Sequence, residues 1–203
     1  MLSVTDDKYW EQRYKEGTAR WDIGQAAPPF VSLLKLPELS PQPGRTAVLG
    51  CGRGYDALLF AAYGFEVMGF DFAPYAITAA TTLAQSTGNS AQFLQRDIFD
   101  LPDEFPGYFD YVVEHTCFCA IEPIQRPAYV HLVQSILRPR GELIGLFWAH
   151  TRPAGPPYGV TTAAIRQYFE TDFEMLSLVP VTNSVLERQG EEHLGRFRVK
   201  RSR

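Results

Sequence analysis

From Thr46 onward the chain alternates short apolar runs with amphipathic stretches. TAVLG, FEVMGF, AQFLQ, YFDYVVEH and LIGLFW are compact and rich in β-branched and aromatic residues, the composition of buried strands. Between them, helical spacing of apolar positions covers Asp56 to Tyr63, Pro74 to Gln85 and Arg126 to Leu137. A loop with Pro102 and Pro106 precedes the fourth strand, and RPRGE forms a turn before the fifth. Strands separated by helical segments predict a parallel sheet covered on both faces, joined by right-handed crossovers. After a helix from Thr161 to Phe169, FEMLSLVPV and RFRVKR follow with no helix between them, which predicts a terminal antiparallel pair. The fold class is α/β: a doubly wound, mostly parallel, seven-stranded sheet.

Ahead of this alternation the pattern is different. Asp6 to Glu16 is an amphipathic helix ended by Gly17, and Pro28-Pro29 opens a short apolar helix that stops before Pro37. PELSPQPGR, residues 37–45, is a turn-rich connector. The expected organisation is a single domain over residues 1–203: a helical cap (1–45), a core (46–150) and a C-terminal helix with its strand pair (151–203). A chain of 203 residues fits one hydrophobic core.

Composition narrows the function classes. With 45% apolar and 21% charged residues the chain has ample material for a core. A net charge of -4 argues against a nucleic-acid partner, which needs clustered Lys and Arg, and leaves a small-molecule substrate. Cys51, Cys117 and Cys119 are an odd number, and the last two are expected on one face of a strand. They read as reduced thiols of a cytoplasmic protein, with no membrane span, no export leader and a monomeric state expected. His115, His131, His150 and His193 are dispersed and match no metal-ligand spacing, so no metal is expected.

The candidate chemistry begins at VLGCGRG, between the first strand and its helix. Gly50, Gly52 and Gly54 leave room for a ligand against backbone N–H groups at a helix N-terminus. The dinucleotide fingerprint requires glycine where this chain has Tyr55, so nicotinamide cofactors are disfavoured. Asp71 ends the second strand about 20 residues beyond the loop, where a carboxylate accepts both hydroxyls of a ribose. Asp97 ends the third strand, placed to accept from an adenine amino group, with Ile98 offering its N–H and an apolar contact. The same residues also fit a ligand-free tight turn and an ordinary cap before Pro74.

These residues, together with the leader W10EQRY14KEGTARW21D22, resemble the thiopurine S-methyltransferase-like family of class I S-adenosylmethionine-dependent methyltransferases. The halide, thiocyanate and thiol methyltransferase branch is the nearest within it. The resemblance extends through FDYVVEHTCFCAIEP (109–123), RPA (126–128), RPRGEL and AGPPYGV (154–160), nearly the whole chain. Two departures stand out: Tyr14 replaces a frequent tryptophan, and Val48 replaces the acidic residue many class I enzymes carry before the first glycine.

The resemblance implies a Rossmann-like fold and S-adenosylmethionine as cofactor. It places Trp10, Tyr14, Trp21, Gly50, Gly52, Asp71, Asp97, Ile98 and Glu114 against that cofactor, with His115 a secondary candidate beside Glu114. Aromatic faces attract a sulfonium by about 0.5 to 2 kcal/mol, which gives the leader tryptophans a purpose beyond stapling the helix to the sheet. Tyr158 and Trp21 are the candidate catalytic residues, with Phe118 and Trp148 expected near the transferred methyl. His150 is a candidate base for a neutral thiol. In GPPY, Tyr158 could equally pack a proline-rich turn. The expected reaction is in-line methyl transfer to a thiol, bisulfide, thiocyanate, halide or thiopurine. A nucleotide-dependent oxidoreductase and a nonenzymatic cofactor-binding module are the alternatives.

Overall fold

In the computed structural model, which describes residues 5–200, five strands lie parallel: β1 (Arg45–Leu49), β2 (Glu66–Asp71), β3 (Gln92–Gln95), β4 (Phe109–His115) and β5 (Leu137–Trp148). β6 (Phe173–Pro180) and β7 (Glu192–Val199) complete a seven-stranded sheet of order β3-β2-β1-β4-β5-β7-β6, with β7 antiparallel to both its neighbours. Met1–Val4 of the leader and Arg201, the last residue of the RFRVKR run, lie outside the described residues. The helices are α1 (Asp7–Lys15), α2 (Pro28–Lys35), α3 (Tyr55–Ala62), α4 (Pro74–Thr87), α5 (Leu101–Glu104), α6 (Cys117–Ala120), α7 (Arg126–Ile136) and α8 (Thr162–Phe169). Among the described residues no helix is long and apolar enough to cross a membrane.

Strand alternation divides the core into two layers. Ala47, Leu49, Val112 and Leu143 pack with Tyr129 and Val133 of α7 and Phe169 of α8. Their neighbours Val48, Val113 and Ile144 pack on the other face with Phe30 of α2 and Phe60 of α3. Phe30, Phe60, Phe70, Phe109 and Phe169 are fully buried, and each contributes about 1.5–3 kcal/mol relative to exposure. A third, smaller cluster sets Tyr14, Trp10 and Trp21 of the cap on Ala73 and Ala76 at the start of α4.

Two local expectations change. RPRGE does not precede the fifth strand but interrupts it: the register passes from Phe109↔Leu137 to Tyr111↔Glu142, so residues 138–141 bulge out, with Arg140 at φ 68°. Leu137 joins the sheet rather than α7. Cys117 and Cys119 are not on a strand. Thr116, at φ 62°, turns the chain out of β4, and both cysteines fall in the single turn of α6, where they remain free thiols.

Candidate active site

The carboxyl ends of β1, β2 and β4 open on a cavity of about 860 Å³, with Gly50, Asp71 and Thr116 in its wall. This is the switch point of the sheet, where β1 lies between β2 and β4 and the connections leave in opposite directions. The glycine loop is shaped by its surroundings. Gly50, Gly52 and Gly54 all have positive φ, and a Cβ on Gly52 would stand 3.0 Å from the Tyr14 hydroxyl. At Gly54 (φ +83°) a Cβ would meet the Phe93 ring at 2.7 Å.

Asp71 is 8% exposed and accepts from the N–H groups of Gly52 (3.0 Å) and Ala73 (2.9 Å), one on each oxygen. Burial lifts its carboxyl to about 6 even though these N–H groups favour the anion, and nearby Glu11 adds to the rise. Each oxygen keeps lone-pair capacity for a further donor. A desolvated carboxylate with no cation paired to it among the described residues suits a neutral diol and repels a phosphate. Asp97 and Ile98 also line the cavity, and Asp97 caps the turn that follows by accepting from Phe99 N–H at 3.0 Å.

Above these groups sits the cap. Trp10, Tyr14 and Trp21 all line the cavity, with Trp21 edge-on to Trp10 at 5.0 Å and to Tyr14 at 5.4 Å between ring centroids. The Trp21 indole N–H donates to the Tyr14 hydroxyl at 2.9 Å. Glu11 fixes α1 to α4 by accepting from Tyr75 N–H at 2.8 Å. Asp22 pairs with Arg53 of the glycine loop at 3.1 Å. Tyr14 therefore supplies an aromatic wall, and its hydroxyl has a partner.

On the far side the cavity is bounded by Trp148, Cys119, Ile121, Pro156 and Pro157. Glu191 accepts from the Trp148 indole N–H at 2.7 Å and from both terminal nitrogens of Arg152 at 2.7 and 2.8 Å. Those donors, Arg152 first, hold its carboxyl down to about 2.

Several expected residues stand elsewhere. Gly52 shapes the loop beneath Tyr14 and borders a small void of about 50 Å³ behind it rather than the main cavity. Glu114 is fully buried under the β4–α6 turn, accepting from Phe118 N–H at 2.9 Å, and it does not line the cavity. Phe118 is 1% exposed within the core. Tyr158 also lies outside the cavity lining: its ring covers Gly155, its N–H donates to Cys119 O at 2.6 Å, and its carbonyl accepts from Arg126 at 3.0 Å. His150, a candidate base, is 6% exposed, has no partner for either ring nitrogen among the described residues, and is depressed by burial and then by Arg152.

Behind Trp21 lies a cluster around His115, whose partners Asp56, Arg188 and Glu192 the sequence reading did not single out. His115 Nδ1 is 3.0 Å from Asp56, while its Nε2 is 2.7 Å from Arg188 and 3.4 Å from Glu192. Burial pulls the ring down, but its hydrogen bonds to Asp56 and Glu192, which accept from the imidazole N–H groups, raise it to about 9. Only the neutral ring can accept from Arg188, and only the charged ring can donate to both carboxylates. The stretch LERQGEE reads locally as a charged turn, so nothing in its pattern announces these distant partners.

The chain is similar to known proteins over its whole length. It matches the thiopurine S-methyltransferase family over residues 5–202. A probable thiol methyltransferase 2 of Arabidopsis thaliana is 33% identical over 202 residues, covering 98% of this chain and 88% of the relative. Thiocyanate methyltransferase 1 of Brassica oleracea is 34% identical, with 93% and 84% covered. Among solved structures, Burkholderia thailandensis 1,6-didemethyltoxoflavin-N1-methyltransferase, with bound 1,6-didemethyltoxoflavin and S-adenosylhomocysteine, superposes with a TM-score of 0.78 at 19% identity, covering 97% of this chain and 88% of that one. Glycine loop, strand-end carboxylates and aromatic cap thus stand on a chain that belongs to the thiopurine S-methyltransferase family, with the fold of the class I S-adenosylmethionine-dependent methyltransferases.

Proposed function

We propose that the protein methylates a small sulfur nucleophile or a halide with S-adenosylmethionine as donor, acting as a cytoplasmic monomer. When bound, the donor supplies a methyl group on a positively charged sulfur, already activated for in-line displacement. The observation that carries the reading is the pairing of Asp71, a buried carboxylate without a cation partner among the described residues, with the Trp10, Tyr14 and Trp21 rings across one cavity. Asp71 accepts from a ribose diol, Asp97 and Ile98 serve the base, and Gly50 admits the ligand against the backbone. The three rings face the cation and exclude water.

The acceptor wall supports the nucleophile class. Trp148, Ile121, Pro156 and Pro157 are apolar surfaces; of the polar residues beside them, Glu122 and Gln125 also line the cavity and Arg152 is already engaged by Glu191. Cys117 and Cys119 line the cavity, but burial raises both thiols, Cys119 to about 12, so neither removes a proton near neutrality. With His150 outside the cavity, the acceptor arrives as an anion or ionises readily, as thiols, bisulfide, thiocyanate and halides do. Tyr158 acts through its backbone, which pins the proline segment to Cys119 and Arg126.

The test is incubation with methyl-labelled S-adenosylmethionine and, separately, iodide, thiocyanate, bisulfide and aromatic thiols, with volatile and dissolved products analysed. Labelled methyl sulfide, thiocyanate or halide is the expected product. Tight binding of S-adenosylhomocysteine with no labelled product from any acceptor would refute the assignment.

A further inference from the structure

Arg188 is 2% exposed, and it reaches the active site from the connection between β6 and β7. One terminal nitrogen donates to the Trp21 carbonyl at 2.8 Å, and the other stands 2.7 Å from His115 Nε2 and 3.4 Å from Glu192. Its guanidinium carbon lies 5.0 Å from the centroid of the Trp148 ring. Trp21 belongs to the cap and Trp148 to the acceptor wall, so one planar cation touches both sides of the cavity without lining it. Three residues on, Glu191 fixes the indole N–H of the same Trp148.

We propose that Arg188 is a positioning residue for the methyl transfer. Through its fork it sets the Trp21 main chain, and through its face the Trp148 ring, so that cap and acceptor wall hold one spacing. The geometry needs a guanidinium. An ammonium is a point donor that can reach the Trp21 carbonyl, but it cannot also present a flat face to the indole and a second in-plane N–H to Glu192. Asp56 and Glu192 hold the opposite edges of that imidazole, so the frame under Trp21 joins α3, β4, β7 and the β6–β7 connection. Reaction geometry is sensitive to displacements on the order of 1 Å, the scale on which a loosened Trp21 would move. The acceptor arm of the inference rests on the function proposed above; the cofactor arm stands without it.

The experiment compares Arg188→Met and Arg188→Lys with Glu142→Gln in the full chain. Glu142 is also buried and paired with arginines, Arg196 at 2.8 Å and Arg198 at 3.5 Å, but it lies six positions before Trp148 on β5, about 20 Å away along the strand. Calorimetry with S-adenosylhomocysteine, steady-state kinetics with S-adenosylmethionine and thiophenol, and thermal melting are measured on each. Arg188→Met is expected to weaken S-adenosylhomocysteine binding and raise both KM values about tenfold, the scale of one charge-assisted hydrogen bond, with a smaller change in kcat. Arg188→Lys should recover the melting temperature but only part of the affinity, and it carries the comparison if the methionine variant does not fold. Glu142→Gln should lower the melting temperature and leave binding within about twofold. Wild-type binding in both Arg188 variants, or an equal loss of binding in Glu142→Gln, would overturn the proposal. Absence of thiophenol methylation by the unaltered protein would count against the acceptor class alone, since the S-adenosylhomocysteine comparison still decides the role of Arg188.

Discussion

Replacing Glu114 with glutamine separates the charge of a buried carboxylate from its shape. The side chain is fully buried; Oε2 accepts from Phe118 N–H at 2.9 Å, and Oε1 has no partner among the described residues. Burial, opposed by the Phe118 N–H and by His115, raises the carboxyl from 4.5 to about 7. Folding therefore favours the protonated acid. Its contribution to stability is fully present below the unfolded value and is lost as the pH rises through the folded one, a total of about 3 kcal/mol. Glutamine keeps the acceptor for Phe118 and never ionises. Asp71 and His115 titrate in both proteins and largely cancel in the comparison. Urea unfolding at about pH 5 and again at about pH 8.5 should give similar stabilities at the lower pH and a variant more stable by about 2–3 kcal/mol at the higher. A difference independent of pH, or a variant that becomes relatively weaker as pH rises, would refute the idea that Glu114 is carried as a desolvated acid.

Three further outcomes are expected. Gly54→Ala places a methyl group 2.7 Å from the Phe93 ring at φ +83°, and should cost about 2–4 kcal/mol in thermal or urea unfolding. Asp71→Asn leaves one amide oxygen to serve two backbone N–H groups and removes the anion from the diol site; calorimetry should show S-adenosylhomocysteine binding weakened about tenfold or more. Trp21→Ala removes the indole that bonds Tyr14 and faces Trp10, and equilibrium dialysis should show retention of S-adenosylmethionine reduced by about tenfold, within the range of a cation–aromatic contact plus its lost packing.

The parallel sheet was legible because each strand carries its own burial pattern and each crossover its own helical period. Gly50, Asp71 and Asp97 converge for a topological reason: strands that run the same way deliver their following loops to one edge. Glu114 was a candidate through the resemblance alone, and strand parity sets which way it faces. Val113 packs toward α2 and α3, as His115 does against Phe30, so Glu114 must turn with Val112 toward α7. Cys117 and Cys119 followed an apolar run that looked continuous with β4, and no residue type announced that Thr116 would take φ 62°. Arg188 was beyond reach for a different reason. Its bond to Trp21 spans 167 residues, and periodicity carries no information at that range.

That span also bears on how the protein is made. Besides Arg188 on Trp21, Asn183 donates to Ser32 at 2.9 Å and Arg196 to Leu39 O at 3.2 Å, each across more than 150 positions. Ribosomes add about 5–20 residues per second, so the segment translated first waits on the order of ten seconds for the segment that will clasp it. Through that interval the Trp21 carbonyl, Ser32 and the Leu39 carbonyl stay without their final partners, and a transcript cut short before the codon for Asn183 would yield a polypeptide lacking all three clasps.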